Sequence, residues 1–144
     1  MKRVNVVSAF IQDGNDNILI VKNIKSDSFY WSLPGGAVEG EETLEQAVIR
    51  EVKEETGFNI VVTGLSSVRE VFFEERGHHA LIITFHAKII DGEININDPD
   101  NDIVEVRWAN SETVRELMPS LYERLKINSD INKTLAFYAF EGIQ

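Results

Sequence analysis

Three glutamates and an arginine stand together in the run Arg50-Glu51-Val52-Lys53-Glu54-Glu55. If the run is helical, Glu51 and Glu55 lie one turn apart on the same face, and Arg50 lies four residues before Glu54. Carboxylates so placed repel one another, the more so when partly buried, and a divalent cation reverses the sign of that interaction. Every candidate ligand is an oxygen and the chain has no cysteine, which favours Mg²⁺ or Mn²⁺ over zinc. Mg²⁺ completes its shell with waters and substrate phosphates, so the chemistry suggested is metal-assisted phosphoryl transfer.

The flanking residues say how the run is held. Pro34, Gly35 and Gly36 favour a tight turn, and Gly40 still belongs to a loop. From Glu42 to Thr56 there is no Pro or Gly and good helix formers dominate, while Gly57 stands where a left-handed C-cap is expected. Leu44, Ala47, Val48 and Val52 form an apolar stripe on that helix. Glu51 and Glu55 project into the middle of the stripe. Taken singly, helical glutamates are ordinary solvated surface. Carboxylates on the apolar side conflict with the simple pattern, and such conflicts mark functional sites.

Composition sets the frame. The chain has 144 residues, 43% of them hydrophobic and 26% charged, as in a globular protein able to bury one core. The absence of cysteine excludes disulfides and thiolate chemistry and suits an intracellular, cytoplasmic protein. The opening segment is too short and polar for a signal peptide, and no run approaches a membrane span. A formal net charge of −10 argues against a nucleic-acid polymer or an anionic membrane as partner, but leaves room for a small nucleotide.

Along the chain, Lys2 to Ile11 and Ile18 to Val21 read as strands of a hairpin about the Asp13 to Asp16 turn, followed by a polar connection from Lys22 to Ser28. Phe29, Tyr30 and Trp31 are an aromatic cluster suited to core or site. Asn59 to Thr63, Ser66 to Phe73, Ala80 to Ile90 and Ile103 to Trp108 read as strands, with a turn at Glu74 to Gly77 and an exposed acidic loop from Glu93 to Asp102. Asn110 or Ser111 caps a short helix to Met118, Pro119 ends it, and Ser120 with Glu123 forms a capping box for another. Asn132 to Ile143 reads as a final helix. These elements give an α/β or α+β sandwich on a mixed sheet. No repeat or linker divides residues 1–144, so one domain is expected.

Gly36, Glu42, Arg50, Glu51, Glu54, Glu55 and Gly57 follow the spacing G-x5-E-x7-R-E-U-x-E-E-x-G-U, with Val52 and Phe58 at the apolar positions U. Average residue usage yields this pattern at about 10⁻⁹ per starting point, so it is not fortuitous. It resembles the Nudix box over residues 36–58, and the W-x-L-P-G-G string from Trp31 extends the likeness upstream. The resemblance implies a Nudix hydrolase: an α/β/α sandwich around a mixed β-sheet, with the box as loop, helix and loop. The implied reaction is hydrolysis of the diphosphate linkage of a nucleoside diphosphate joined to another moiety, by attack of a metal-activated water.

By the same resemblance Glu51, Glu54 and Glu55 hold Mg²⁺ or Mn²⁺, and the Gly36 carbonyl adds a ligand. Arg50 orients the carboxylates, and Glu42 and Gly57 are motif positions, with Glu42 also suited to the helix dipole. Which carboxylate is the general base is left open, inside the box or outside it. Trp31, Arg69, His79 and Asp102 are the substrate-binding candidates. Asp102 is preferred to Glu105 as the extra acid ahead of Arg107-Trp108. Lys22 is a further phosphate binder and His78 an alternative to His79, whereas His86 reads as a core histidine. A homodimer is an expectation at the level of the family. Two other readings are a non-catalytic nucleotide sensor, which the intact glutamates oppose, and a Ca²⁺-binding or structural acidic domain. The latter lacks the Gly and Glu that an EF-hand loop needs after Asp98.

Overall fold

Val7, Ala9 and Ile11 are fully buried on one face of the strand Lys2–Ile11 (β1), and Phe10 is buried on the other. A strand apolar on both faces needs cover on both sides. The computed structural model describes residues 1–127 and 135–144. After β1 come β2 (Ile18–Lys25), β3 (Ser28–Ser32), β4 (Gly35–Ala37), α1 (Leu44–Thr56), β5 (Phe58–Phe73) and β6 (His78–Gly92). Then follow β7 (Ile103–Ala109), α2 (Ser111–Leu117), α3 (Pro119–Arg124) and β8 (Phe137–Ile143).

The strands form a mixed five-stranded sheet, ordered β4-β1-β6-β5-β8, and a three-stranded sheet, ordered β3-β2-β7. β1 runs parallel to β6 and β5 parallel to β8, while the remaining pairs are antiparallel. Ala47, Val48 and Val52 of α1 pack with Val7, Ala9, Ile11, Leu19 and Ile83. Val114, Met118, Leu125 and Ile127 pack on the opposite side with Phe10, Ile18, Ile20 and Leu33. Alternate residues of β1 and β2 therefore serve two cores, which makes the architecture an α/β/α sandwich. Among the described residues no helix is long and apolar enough to cross a membrane.

Several local expectations are corrected. β1 and β2 are not a hairpin: they belong to different sheets and, among the described residues, their only backbone pairing is the bridge Gln12↔Ile18 just past the end of β1, because β1 is a central strand between β4 and β6. The connection from Lys22 to Ser28 is instead the real hairpin. β2 runs to Lys25, and Ser26 (φ 49°) and Asp27 (φ 65°) supply the two left-handed residues of a primed turn into β3. Gly35 and Gly36 form a short strand rather than a turn. A side chain at Gly35 would meet the Val7 carbonyl at 2.1 Å, so only glycine lets this segment lie against β1.

The two strands expected between Asn59 and Phe73 are one, β5, whose register shifts around Gly64 absorb the break that the sequence suggests. α3 begins at Pro119 without a side-chain cap, so Ser120 is inside the helix and no capping box forms. The last helix is replaced by β8, whose alternating aromatic residues suit a strand and pair with Ser67 to Phe72 of β5. Residues 132–134 of that expected helix lie outside the described residues.

α1 begins two residues later than the sequence suggests. Thr43 caps it, its hydroxyl accepting from Gln46 N while Gln46 returns to Thr43 N, a complete capping box. Gly57 ends it at φ 89°, as expected. A Cβ there would stand 2.2 Å from the Glu93 carbonyl and 2.6 Å from Asn95 N. Gly57→Ala is therefore expected to destabilise the fold by about 2 kcal/mol or more, combining a left-handed backbone with a backbone clash. An unchanged urea midpoint would contradict this.

Candidate active site

α1 carries its acids where the wheel puts them. Glu55 is only 7% exposed and, with Thr56, shares the buried face with Ala47, Val48 and Val52. Leu44, expected in that stripe, is 37% exposed at the first turn, beyond the reach of the sheet. The Gly35 N–H donates to Glu55 Oε1 at 3.0 Å. Gly36 lies directly against Glu51, since a Cβ at Gly36 would fall 2.6 Å from Glu51 Oε1. β4 and α1 thus press two carboxyls against the backbone of two glycines.

Burial pushes the Glu55 carboxyl up to about 9. The Gly35 N–H opposes that shift, and the charges of Glu51 and Asp98 add to it. Burial also raises Glu51, against the hydrogen bond and charge of Arg50. The two carboxyls interact directly, with the proton favoured on Glu55.

Arg50 gathers the remaining acids. Its Nε and Nη2 donate to the two Glu42 oxygens at 2.6 and 2.9 Å. Its Nη1 donates to Glu51 at 3.0 Å and Glu54 at 3.2 Å, and Nη2 also reaches the Ala37 carbonyl at 3.3 Å. These bonds, that to Glu42 first, hold its pKa above the ordinary value. Glu54 therefore shares the Arg50 Nη1 donor with Glu51, and its charge adds to the upward shift of the Glu51 carboxyl. Among the described residues no three acidic or histidine side chains form a ready-made metal cluster. Two crowded carboxyls and the nearby glycine backbone are nonetheless an all-oxygen donor set that fits a hard divalent cation.

A cleft of about 540 Å³ opens beside Gly35 and Gly36, lined also by Tyr30, Arg69, Arg76 and Arg124. Burial raises the Tyr30 hydroxyl, Arg76 opposes, and Asp102 and Glu55 add. A smaller cavity of about 320 Å³ is lined by Phe10, Thr63, His86 and Lys88; the lining of neither cavity includes a box glutamate, and the larger one adjoins Glu51 and Glu55 through Gly35 and Gly36.

The other candidates are dispersed. Trp31 faces away from the cleft, since neighbours on a strand point to opposite sides and Tyr30 and Ser32 take the lining positions. It packs against the core built around Phe10, Ile18, Ile20 and Leu33, with Lys22 and Arg107 over its ring at 5.9 and 5.6 Å. Arg69 does line the cleft. His79 pairs with Glu70 at 2.5 Å and stands edge-on to Phe72, outside the cleft lining. Asp102 accepts Ile24 N at its carbonyl and donates its N–H to Asp98. His86 stands edge-on to Phe10. Arg76, Arg124 and Glu141 were not signalled by the sequence, while Tyr30 stood out only as part of the aromatic cluster and Asp98 only as an acid of the exposed loop. Asn95 and Asn97 N–H groups bond the Thr56 and Glu54 carbonyls, and this tether brings the Asp98 charge within range of Glu55.

A family model for the NUDIX domain matches residues 1–127. The chain belongs to the Nudix family. This Nudix chain is 36% identical over 92 residues to the ADP-ribose pyrophosphatase of Methanocaldococcus jannaschii, covering 64% of the chain and 54% of that protein. It is 36% identical over 61 residues to the 8-oxo-dGTP diphosphatase of Proteus vulgaris, covering 41% of the chain and 54% of that protein. The chain thus spans about half the length of these curated relatives. A solved Nudix hydrolase from Nitrosomonas europaea superposes with a TM-score of 0.77 at 25% identity, over 87% of this chain and 86% of the other. Residues 36–58, which carry the motif, run from β4 through a loop and α1 to Gly57 and the first residue of β5, so the loop expected after the helix is a single glycine.

The raised Glu55 carboxyl gives a stability prediction. In the folded chain Glu55 keeps a proton up to about pH 9, whereas its ordinary value is 4.5. The stability linked to that proton is fully present below the ordinary value and is lost as pH rises toward 9. The metal-free chain is therefore expected to lose melting temperature from pH 5 to pH 9. Glu55→Gln should flatten that slope, and Mg²⁺ should raise the melting temperature more at pH 8 than at pH 5. Equal Mg²⁺ effects at both pH values would contradict it.

Proposed function

We propose that this Nudix chain hydrolyses the diphosphate linkage of a nucleoside diphosphate joined to a second moiety, with Mg²⁺ or Mn²⁺ as cofactor. The observation that carries the reading is the pair of buried Glu55 and half-buried Glu51, pressed against Gly35 and Gly36 at the edge of the cleft. Glu51 and Glu55 are the inner ligands in this reading, Glu54 and the Gly36 carbonyl complete the set, and Arg50 positions the carboxylates.

When bound, the cation lowers the pKa of water and offsets charge on phosphoryl oxygens. The chain itself orients the carboxyls through Arg50 and the Gly35 N–H, keeps them from bulk water, and accepts a proton at a box carboxylate. The hydrolysis adds water across one P–O–P bridge and yields two phosphate-terminated products. The names of the two relatives, one acting on ADP-ribose and one on 8-oxo-dGTP, share a nucleoside diphosphate unit and support that class.

The test is a product-release screen over ADP-ribose, nucleoside triphosphates, nucleotide sugars and dinucleoside polyphosphates with Mg²⁺ or Mn²⁺. Turnover of one compound far above the rest, with none on metal removal by chelator, is expected. Nucleotide binding without turnover of any compound would favour the sensor reading instead.

A further inference from the structure

Arg69 is only 4% exposed, yet it lines the cleft beside Gly35 and Gly36. Among the described residues its Nη1 alone is hydrogen-bonded, to both oxygens of Glu141 at 3.3 and 3.2 Å. Its Nε has no partner. A buried guanidinium with five N–H groups and one nitrogen engaged is an incomplete hydrogen-bond set, which native structures rarely leave unexplained.

Two more arginines share the lining. Arg76 stacks on Phe73 at 5.5 Å and makes no ion pair among the described residues. Arg124 lies 4.0 Å from Glu141 and within 3.4 Å of Gln144, with its side chain 40% exposed. Among the described lining residues Glu141 is the one acid, so three guanidinium groups there face one carboxylate, an excess of two positive charges. In a chain of net charge −10 this concentration of positive charge is local and directed into the cleft. Val71, Phe73, Leu121 and Leu125 supply apolar lining beside it, suited to a base or sugar face.

We propose that Arg69, Arg76 and Arg124 form a subsite for a phosphate monoester that the nucleotide carries in addition to its scissile diphosphate. This rests on the reading of the cleft as a nucleotide site. A phosphate monoester holds close to two negative charges near neutral pH, matching that excess, and its three terminal oxygens suit arginine forks. Glu141 is the positioning residue: it holds Arg69 at the wall and anchors β8 beside β5.

The test uses ligands without an anhydride, so that binding is read independently of hydrolysis. Affinities of AMP, adenosine 2′,5′-bisphosphate and adenosine 3′,5′-bisphosphate, and of the guanine counterparts, are measured by titration calorimetry. At least one bisphosphate is expected to bind about tenfold or more tightly than its monophosphate, the gain of two charge-assisted contacts. In Arg76→Gln/Arg124→Gln that advantage should fall below about twofold while the melting temperature is kept. No advantage for any bisphosphate, or an advantage that survives the double substitution, overturns the subsite. Turnover of diphosphate-linked compounds tests the hydrolase reading separately, so failure of one does not imply failure of the other.

Discussion

Glu55→Gln is expected to lower kcat by about 10³-fold or more at saturating Mg²⁺ while leaving the fold intact. Glutamine keeps the size of the side chain and still offers Oε1 to the Gly35 N–H, the bond that holds Glu55 in place at 3.0 Å. What it removes is the ability to ionise, and with it the ligand charge that the proposed function assigns to Glu55. Glu51→Gln should behave alike, since Glu51 shares the same enclosure against Gly36. Glu54→Gln should cost less, about tenfold, because Glu54 faces Arg50 and is a quarter exposed. Steady-state kinetics with melting curves for all three variants checks the order. Near-normal kcat for Glu55→Gln would remove Glu55 from the mechanism, and a larger loss at Glu54 than at Glu51 would reverse their assignment.

The part of the site that rests on local spacing was legible in the sequence. Period, capping and the left-handed Gly57 all act within α1, so the placement of Glu51 and Glu55 on its buried face could be read from a wheel. The part assembled over long sequence separations was not. Nothing near Arg69 announces that Glu141, on a strand parallel to β5, will neutralise it. Likewise the alternation that sends Tyr30 into the cleft and Trp31 away from it depends on how β3 pairs with β2, which the aromatic cluster alone does not fix.

The same distinction explains the errors of the fold. Turn residues between apolar runs suggested a β1 to β2 hairpin, but burial of both faces of β1 is satisfied only by a central place beside β6. The aromatic run ending in Ile143 alternates half-buried and exposed positions, and its pairing with β5 decides its state. Gly64 marks a bulge rather than a boundary because the partner strand β6 continues unbroken past it.

Arg50→Ala is expected to reduce activity by about 10- to 100-fold without touching a substrate atom. Arg50 is the single cation among four acids: it forks onto Glu42, binds Glu51 and Glu54, and lies 3.9 Å from Glu39. Its bond to the Ala37 carbonyl also ties α1 to the end of β4, next to Gly36. Without it the carboxylates of Glu51 and Glu54 lose their common donor and repel, so the geometry offered to a cation is no longer fixed. The loss should therefore appear as a lower kcat together with a higher Mg²⁺ concentration for half-maximal activity. Arg50→Lys should recover only part of it, since an ammonium cannot engage Glu42 through two parallel bonds while also reaching Glu51 and Glu54. An unchanged Mg²⁺ dependence, with activity falling only in step with melting temperature, would reduce Arg50 to a purely structural clamp.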